Sequence, residues 1–283
     1  MEDLVCVELR KAFGSKMFAA SIIIGSALSV ATSFINYFTI YHASYMAAAL
    51  YETKWFDPSI LTCFRYWLVA DFNRMTTYLF FMLVPLLAVL PYAWSYMMER
   101  SSGYAMQIAS RAPRSGYLLA KGAATFASGA AAVAVPVVLG LIVIACLVPA
   151  RVPDVTSEFY FGIDEASFWS ELFYNEPILY SVCYIVLIAG FSGVWAVLVM
   201  LTGCAVRDVV ALTVLPYLVL IGVRFACENV FYDIVQTALT PFDFLRPVSG
   251  VARSNPWVVA GFFALCIAIS VGFALMERKR DLL

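Results

Sequence analysis

Few side chains in this chain can do chemistry, and their spacing excludes most of it. The single histidine, His42, has no second imidazole with which to share a metal ion or relay a proton. Seven cysteines, Cys6, Cys63, Cys146, Cys183, Cys204, Cys227 and Cys266, include no C-x-x-C pair, the spacing of a zinc site or a redox dithiol. Cys63, Cys146 and Cys227 fall at or beyond helix ends, where a disulfide among them can be envisaged; the others read as small apolar side chains. No G-x-x-x-x-G-K-[ST] run is present to cradle a nucleotide phosphate. H-E-x-x-H and G-x-S-x-G are missing too, so neither a metalloprotease nor a serine hydrolase site is written into the chain. The expectation is a protein that is not itself an enzyme and carries no cofactor or metal.

The elements that remain are apolar helices. Hydrophobic residues make up 63% of the 283 residues, charged residues 13%, and the mean hydropathy is +0.86. Soluble domains hold about 45–50% apolar and about 25% charged residues. A bilayer accepts the excess, because lipid takes the place of a missing core. The net charge of −1 gives no electrostatic reason to expect a nucleic-acid partner. Roughly 20 apolar residues are needed to cross ~30 Å of hydrocarbon. Six windows qualify: Met17 to Ile40, Thr76 to Tyr96, Ala123 to Val148, Pro177 to Val206, Val209 to Cys227 and Pro256 to Met276. Backbone polar groups in lipid must pair within their own segment, so these windows are helices. The expected fold class is therefore all-α: a polytopic membrane protein with about six transmembrane helices forming a single transmembrane domain over 1–283. The first apolar run is too long for a cleavable signal peptide. The middles of all six windows lack Asp, Glu, Lys, Arg and His, which argues against a proton-coupled carrier or a cation channel.

Charge bias orients the windows. With the N-terminus inside, inner segments hold 11 of the 18 lysines and arginines, and outer segments hold 7. Both termini, including the tail 277–283, are then cytoplasmic, in a multi-pass cell-membrane protein. Acidic residues favour the outside, with Asp154, Glu158, Asp164, Glu165, Glu171 and Glu176 in the outer loop 149–176. That loop is either simply solvated or a surface that attracts cations. In the outer loop 41–75, Asp57-Pro58-Ser59 reads as a helix start, and Ile60, Leu61, Phe64, Trp67, Leu68 and Phe72 follow at helical spacing. This predicts an amphipathic helix lying on the outer membrane surface, with Phe64, Trp67 and Leu68 at the headgroups. The outer segment 228–255 carries Pro241 and Pro247 and is too polar to cross; it can dip into the membrane only under protein or water cover.

One cytoplasmic segment, 97–121, reads MMERSSGYAMQIASRAPRSGYLLAK. Ser101 or Ser102 can cap a short helix through Tyr104, Met106, Gln107 and Ile108, ended by Pro113. Ser115 can cap an elbow, Tyr117-Leu118-Leu119, that leads into the third window. The product is a short helix lying across the inner face, which a soluble partner can grip or lipid phosphates can anchor. In the third window, small residues recur four apart at Ala120, Ala124, Ser128 and Ala132, and at Ala123, Ala127 and Ala131. Such rows allow close helix packing, within the chain or against a second copy.

The run E-R-S-S-G followed by R-x-P-R-S-G-Y-L-L-A-K resembles the inner loop of permease (transmembrane) subunits of the ABC type 2 exporter family. The opening VELRKAFGSK resembles that family's amphipathic N-terminal helix, here 1–16, and MERKRD resembles its basic tail. The resemblance implies an ATP-driven exporter permease whose partners are a separate ABC ATPase subunit, a second permease subunit, identical or homologous, and membrane lipid. It also implies that the inner-loop helix docks on the ATPase. By position, Glu99, Arg100, Ser102, Gly103, Tyr104, Gln107 and Arg111 would carry that contact. The N-terminal helix would lie along the inner leaflet through Val5, Leu9, Ala12 and Phe13, on one face. The reading from another class is a membrane sensor or immunity protein that binds an extracellular ligand and transports nothing.

Overall fold

The computed structural model describes residues 2–51, 61–71, 74–104, 107, 114–153, 163, 167–206, 208–230, 237–247 and 255–279. Helices account for most of these residues, and no strand occurs among them. Helix α1 spans Glu2–Phe13 and α2 spans Lys16–Asn36. A π-helical stretch, Tyr37–His42, joins α2 directly to α3, Ala43–Tyr51. Next come α4 at Cys63–Tyr66, α5 at Met75–Val89 and α6 at Ser95–Ser101. The long helix α7 covers Arg114–Leu147, and α8 is the short Ser170–Asn175. Helices α9 and α10 span Pro177–Thr202 and Val209–Asn229; α11 is the single turn Pro241–Phe244, and α12 spans Pro256–Lys279. Five stretches are long and apolar enough to cross a membrane: Lys16–Met46, Gly116–Leu147, Pro177–Thr202, Val209–Asn229 and Pro256–Met276. The chain is an all-α, multi-pass membrane protein.

Two expected elements differ. The first apolar helix runs on past Ile40 to Tyr51, so the first part of 41–75 is helix and not loop. Nothing in the sequence stops it, since no Gly or Pro lies between Gly25 and Pro58. Its turns are propped by rings four apart, with Tyr37 stacked on Tyr41 at 5.7 Å and Phe34 on Phe38 at 6.5 Å. The second apolar window is divided. Helix α5 has 15 residues, the chain turns through 90–94 at Pro91, and α6 then resumes.

The expected surface helix from Asp57 is also corrected where it is visible. Residues 57–60 lie outside the described residues, and from 61 onward only Cys63–Tyr66 is helical. Phe64, Trp67 and Leu68 are buried among helices and do not lie on a membrane surface. The Thr62 hydroxyl donates to the Arg151 carbonyl at 2.6 Å, and the Cys63 amide donates to the Pro149 carbonyl at 3.1 Å. The Trp67 indole N–H reaches the Val137 carbonyl at 3.0 Å. Val137 lies ten residues short of the end of α7, ~15 Å along the helix. The stretch therefore descends beside α7, and protein cover is what makes non-helical backbone tolerable there.

Helices α2, α5, α7 and α9 form the core of the bundle, while α10 and α12 lie at its edge and remain largely exposed. Small residues set the core spacing. The α2 face Ser21, Gly25, Ser29, Thr32, Ser33 and Asn36 is buried. Gly25 makes room for the Pro136 ring of α7, and the Ser33 hydroxyl donates to the Gly140 carbonyl at 3.2 Å. Ala120, Ala124, Ser128 and Ala132 are buried within this one chain, so that row serves internal packing, whereas Ala123 is exposed. A Cβ on Gly129 would sit 2.7 Å from Ala196 Cβ and 2.8 Å from the Ala88 carbonyl oxygen; one on Gly222 would meet nothing within 4 Å. Gly129→Ala is therefore expected to cost about 1–3 kcal/mol through overpacking. Gly222→Ala should be neutral or stabilising, and melting of the detergent-solubilised variants checks the contrast.

Candidate functional site

The most concentrated chemistry lies where α1 meets the bundle. Glu8 is 1% exposed and sits on the buried side of α1, one turn before Ala12, which packs on Tyr92 and Ala124. The fully buried Lys121 comes from the first third of α7, and Glu99 from α6. The Lys121 ammonium lies 2.5 Å from a Glu99 oxygen and 3.3 Å from a Glu8 oxygen. Both oxygens lie within reach of the three rotatable donors of the ammonium. Lys11 closes the set at 2.7 Å from Glu8 and 3.7 Å from Glu99. Among the described residues, two lysines thus face two glutamates, and their formal charges balance.

Tyrosines finish the coordination. The Tyr92 hydroxyl donates to the second Glu8 oxygen at 2.6 Å, and the Tyr117 hydroxyl donates to Glu99. The Lys121 ammonium also lies over both rings, 4.9 Å from the Tyr92 centroid and 5.6 Å from that of Tyr117. Ser15 fixes the corner between α1 and α2. Its hydroxyl caps α2 by accepting from the Phe18 amide at 3.0 Å, and donates to the Pro91 carbonyl at 3.0 Å. The break at Pro91 thereby brings Tyr92 and α6 under α1. Burial pushes the Glu8 carboxyl up, but hydrogen bonds from Lys11 and Tyr92 and the nearby Lys121 charge outweigh it, holding Glu8 below its ordinary value. For Lys11, burial works against the charge, and the hydrogen bond and charge of Glu8 win and raise it. The arrangement is a tie between α1, α6 and α7. Among the described residues, no three His, Cys, Asp or Glu side chains are grouped to hold a metal ion.

The residues singled out from the sequence divide into two sets. Glu99 turns inward to Lys121, and Arg100 donates to the Cys204 carbonyl at 2.8 Å, just past the end of α9. Ser102, Tyr104 and Gln107 are exposed, with Gly103 between them. Gly103 adopts φ +74°, a conformation that suits glycine and ends α6. Arg111, with Met106, Ile108 and Pro113, lies outside the described residues. The separate elbow at Tyr117-Leu118-Leu119 is replaced by one continuous α7 from Arg114, because nothing after Pro113 interrupts it until Pro136. On α1, Phe13 is exposed, but Ala12 is buried and Leu9 packs beside it, so that face meets α7 and Tyr92 and not lipid alone. All seven cysteines are unpaired. Glu8, Lys11, Tyr92, Tyr117 and Lys121 were not singled out as site residues, although Lys121 sits only a few residues before an apolar run that admits no other charge.

No family model, curated protein or solved structure matches the chain.

Removing one member of a buried charge cluster strands its partners, at about 3–5 kcal/mol. Lys121→Met is expected to destabilise by that order. The triple change Glu8→Gln, Lys121→Met, Glu99→Gln should recover most of the loss, because it removes the buried charges together and leaves only Lys11, whose side chain reaches water; urea or thermal unfolding in detergent reads both. The pH dependence follows from Glu8. A carboxyl held low contributes stability that is present above its ordinary value of 4.5 and is lost as pH falls through the lowered value. The parent's margin over Glu8→Gln is therefore expected at neutral pH and should shrink below about 4.5, in melting curves measured across pH.

Proposed function

We propose that this chain is the permease subunit of an ATP-driven exporter of the ABC type 2 class. It works with a separate ATPase subunit and a second permease subunit, in the cell membrane, with both termini in the cytoplasm. In this reading the divided stretch 75–101 is a sixth crossing. The observation that carries the proposal is the charge cluster that fastens the turn at 99–104 to α1 and α7, while the tip of that turn stays exposed. A loop that receives force must be anchored at its base and accessible at its tip. Glu99 and Arg100 provide the base, reaching α7 and the end of α9 respectively. Ser102, Gly103, Tyr104 and Gln107 offer the tip. Displacing the tip pulls on α7 and α9, two helices that cross the bundle, and α1 moves with them through Glu8. The family resemblance of the E-R-S-S-G run supports the same assignment.

The test is co-purification from detergent-solubilised membranes. The parent should bring down a P-loop ATPase. A tyrosine at the centre of an interface typically carries ~2 kcal/mol or more, roughly a thirtyfold change in affinity. Tyr104→Ala combined with Gln107→Ala should lose the ATPase to that degree without loss of folding, because neither residue is buried. Arg151→Glu, exposed at the opposite end of the bundle, should bind like the parent. Recovery of no P-loop protein with the parent would overturn the exporter reading and favour the ligand-sensing one. Undiminished binding by the Tyr104 variant would remove the turn from the interface.

A further inference from the structure

The end of the bundle away from α1 carries a second cluster that the proposed ATPase contact does not use. The segment 237–247 leaves the membrane-crossing path and packs inward. Ala238, Thr240, Phe242, Phe244 and Leu245 are all buried. Phe244 meets Phe191 edge-on at 6.2 Å and Phe262 at 5.5 Å, and Phe242 meets Tyr217 at 6.2 Å. Phe191 lies fourteen residues into α9, ~21 Å from its start, so the segment reaches deep between helices. Four of its amides are paired within the segment. The amides of Asp243 and Phe244 both donate to the Thr240 carbonyl at 3.0 Å, Leu245 donates to Pro241 at 3.3 Å, and Arg246 to Asp243 at 3.2 Å. Among the described residues, no backbone hydrogen bond ties 240–246 to a neighbouring helix.

Side chains therefore hold the segment. The directed polar link is Arg224 of α10, whose guanidinium lies 3.4 Å from the Asp243 carboxylate. Arg246 adds charge facing both Asp243 and the buried Asp71. The Arg224 side of the link is fixed independently. Its Nε bonds Glu228 one turn along α10 at 2.8 Å, its guanidinium lies over the Tyr78 ring at 5.5 Å, and Nη1 contacts Met82 Sδ at 3.3 Å. One half is held in the bundle and the other is carried on a segment with no described backbone bond to a neighbouring helix. Such a segment can leave with those four amides still paired.

We propose that Thr240–Leu245 is a detachable plug closing the end of the bundle opposite α1, and that the Arg224–Asp243 pair is its latch. The plug keeps solvent from Phe191 and Phe262, against which Phe244 packs. Its release opens those two rings toward the side where Arg151 is exposed. This goes beyond ATPase docking, and it is read by accessibility, so either idea can fail alone.

Cys266 serves as reporter, since it is buried one turn past Phe262 on α12. In a variant that retains Cys266 as its only cysteine, modification by a charged methanethiosulfonate reagent should be slow. Adding Asp243→Asn should raise that rate at least tenfold. Arg224→Gln breaks the same pair from α10 and should do likewise, so the test survives failure of either variant to fold. Cys63, buried beside α7, kept alone in a parallel variant, should show no acceleration with Asp243→Asn. An unchanged Cys266 rate in the latch variants, or equal acceleration at Cys63, would overturn the proposal.

Discussion

A lysine with no exposure sets the terms for one end of this molecule. Lys121 sits in a helix that continues for 26 more residues without another charge. An ammonium there must be matched by anions that the rest of the chain brings to it. Neither anion is local. Glu8 arrives on α1, which has to fold back beneath the bundle, and Glu99 arrives on α6, which has to leave the axis of α5. The corner at Ser15 and the break at Pro91 make both approaches possible, and they are joined directly by the Ser15–Pro91 hydrogen bond. The charge of Lys121 thus explains why a short, weakly apolar N-terminal helix is fixed to the protein and not left to the membrane surface.

The bilayer imposes the complementary constraint on the other end. Lipid offers no hydrogen bonds, so irregular backbone survives only where protein supplies them or where the segment supplies its own. The two irregular stretches use different solutions. Residues 62–67 borrow acceptors from α7 and the chain just beyond it, through the carbonyls of Arg151, Pro149 and Val137. Residues 240–246 pair four amides internally and are attached through aromatic rings, the Arg224–Asp243 ion pair and the charge of Arg246 facing Asp71. The first solution locks a segment to its neighbour, and the second leaves it separable.

The sequence made the apolar helices legible because hydropathy is a local property and needs no partner. It did not show where the first helix stops, since stopping depends on Gly and Pro, and none follows Gly25 until Pro58. The burial of Trp67 and Leu68 was equally hidden. Their helical spacing describes a face, but whether that face meets lipid or protein depends on how far α7 extends beyond the bundle. The charge cluster was missed for a topological reason. Glu8 and Tyr92 are 84 residues apart, and read alone each is an ordinary surface glutamate or interfacial tyrosine. The usable signal was Lys121 itself, a cation within reach of an apolar helix, which requires a carboxylate somewhere.

The inward turn of Glu99 and Arg100 changes what a charged loop of this kind means. A sequence reading assigns exposed charges to partner contact, because charges prefer water. Here the two charges nearest the bundle are spent on it, one on Lys121 and one on the carbonyl of Cys204. Among the described residues, the tip then offers hydroxyl, glycine, phenol and amide: Ser102, Gly103, Tyr104 and Gln107. A partner meeting that tip would recognise it by shape and hydrogen bonding, with little long-range attraction. Among the described residues the charges of this loop tie it to the bundle, and in the proposed reading its uncharged groups would meet the ATPase.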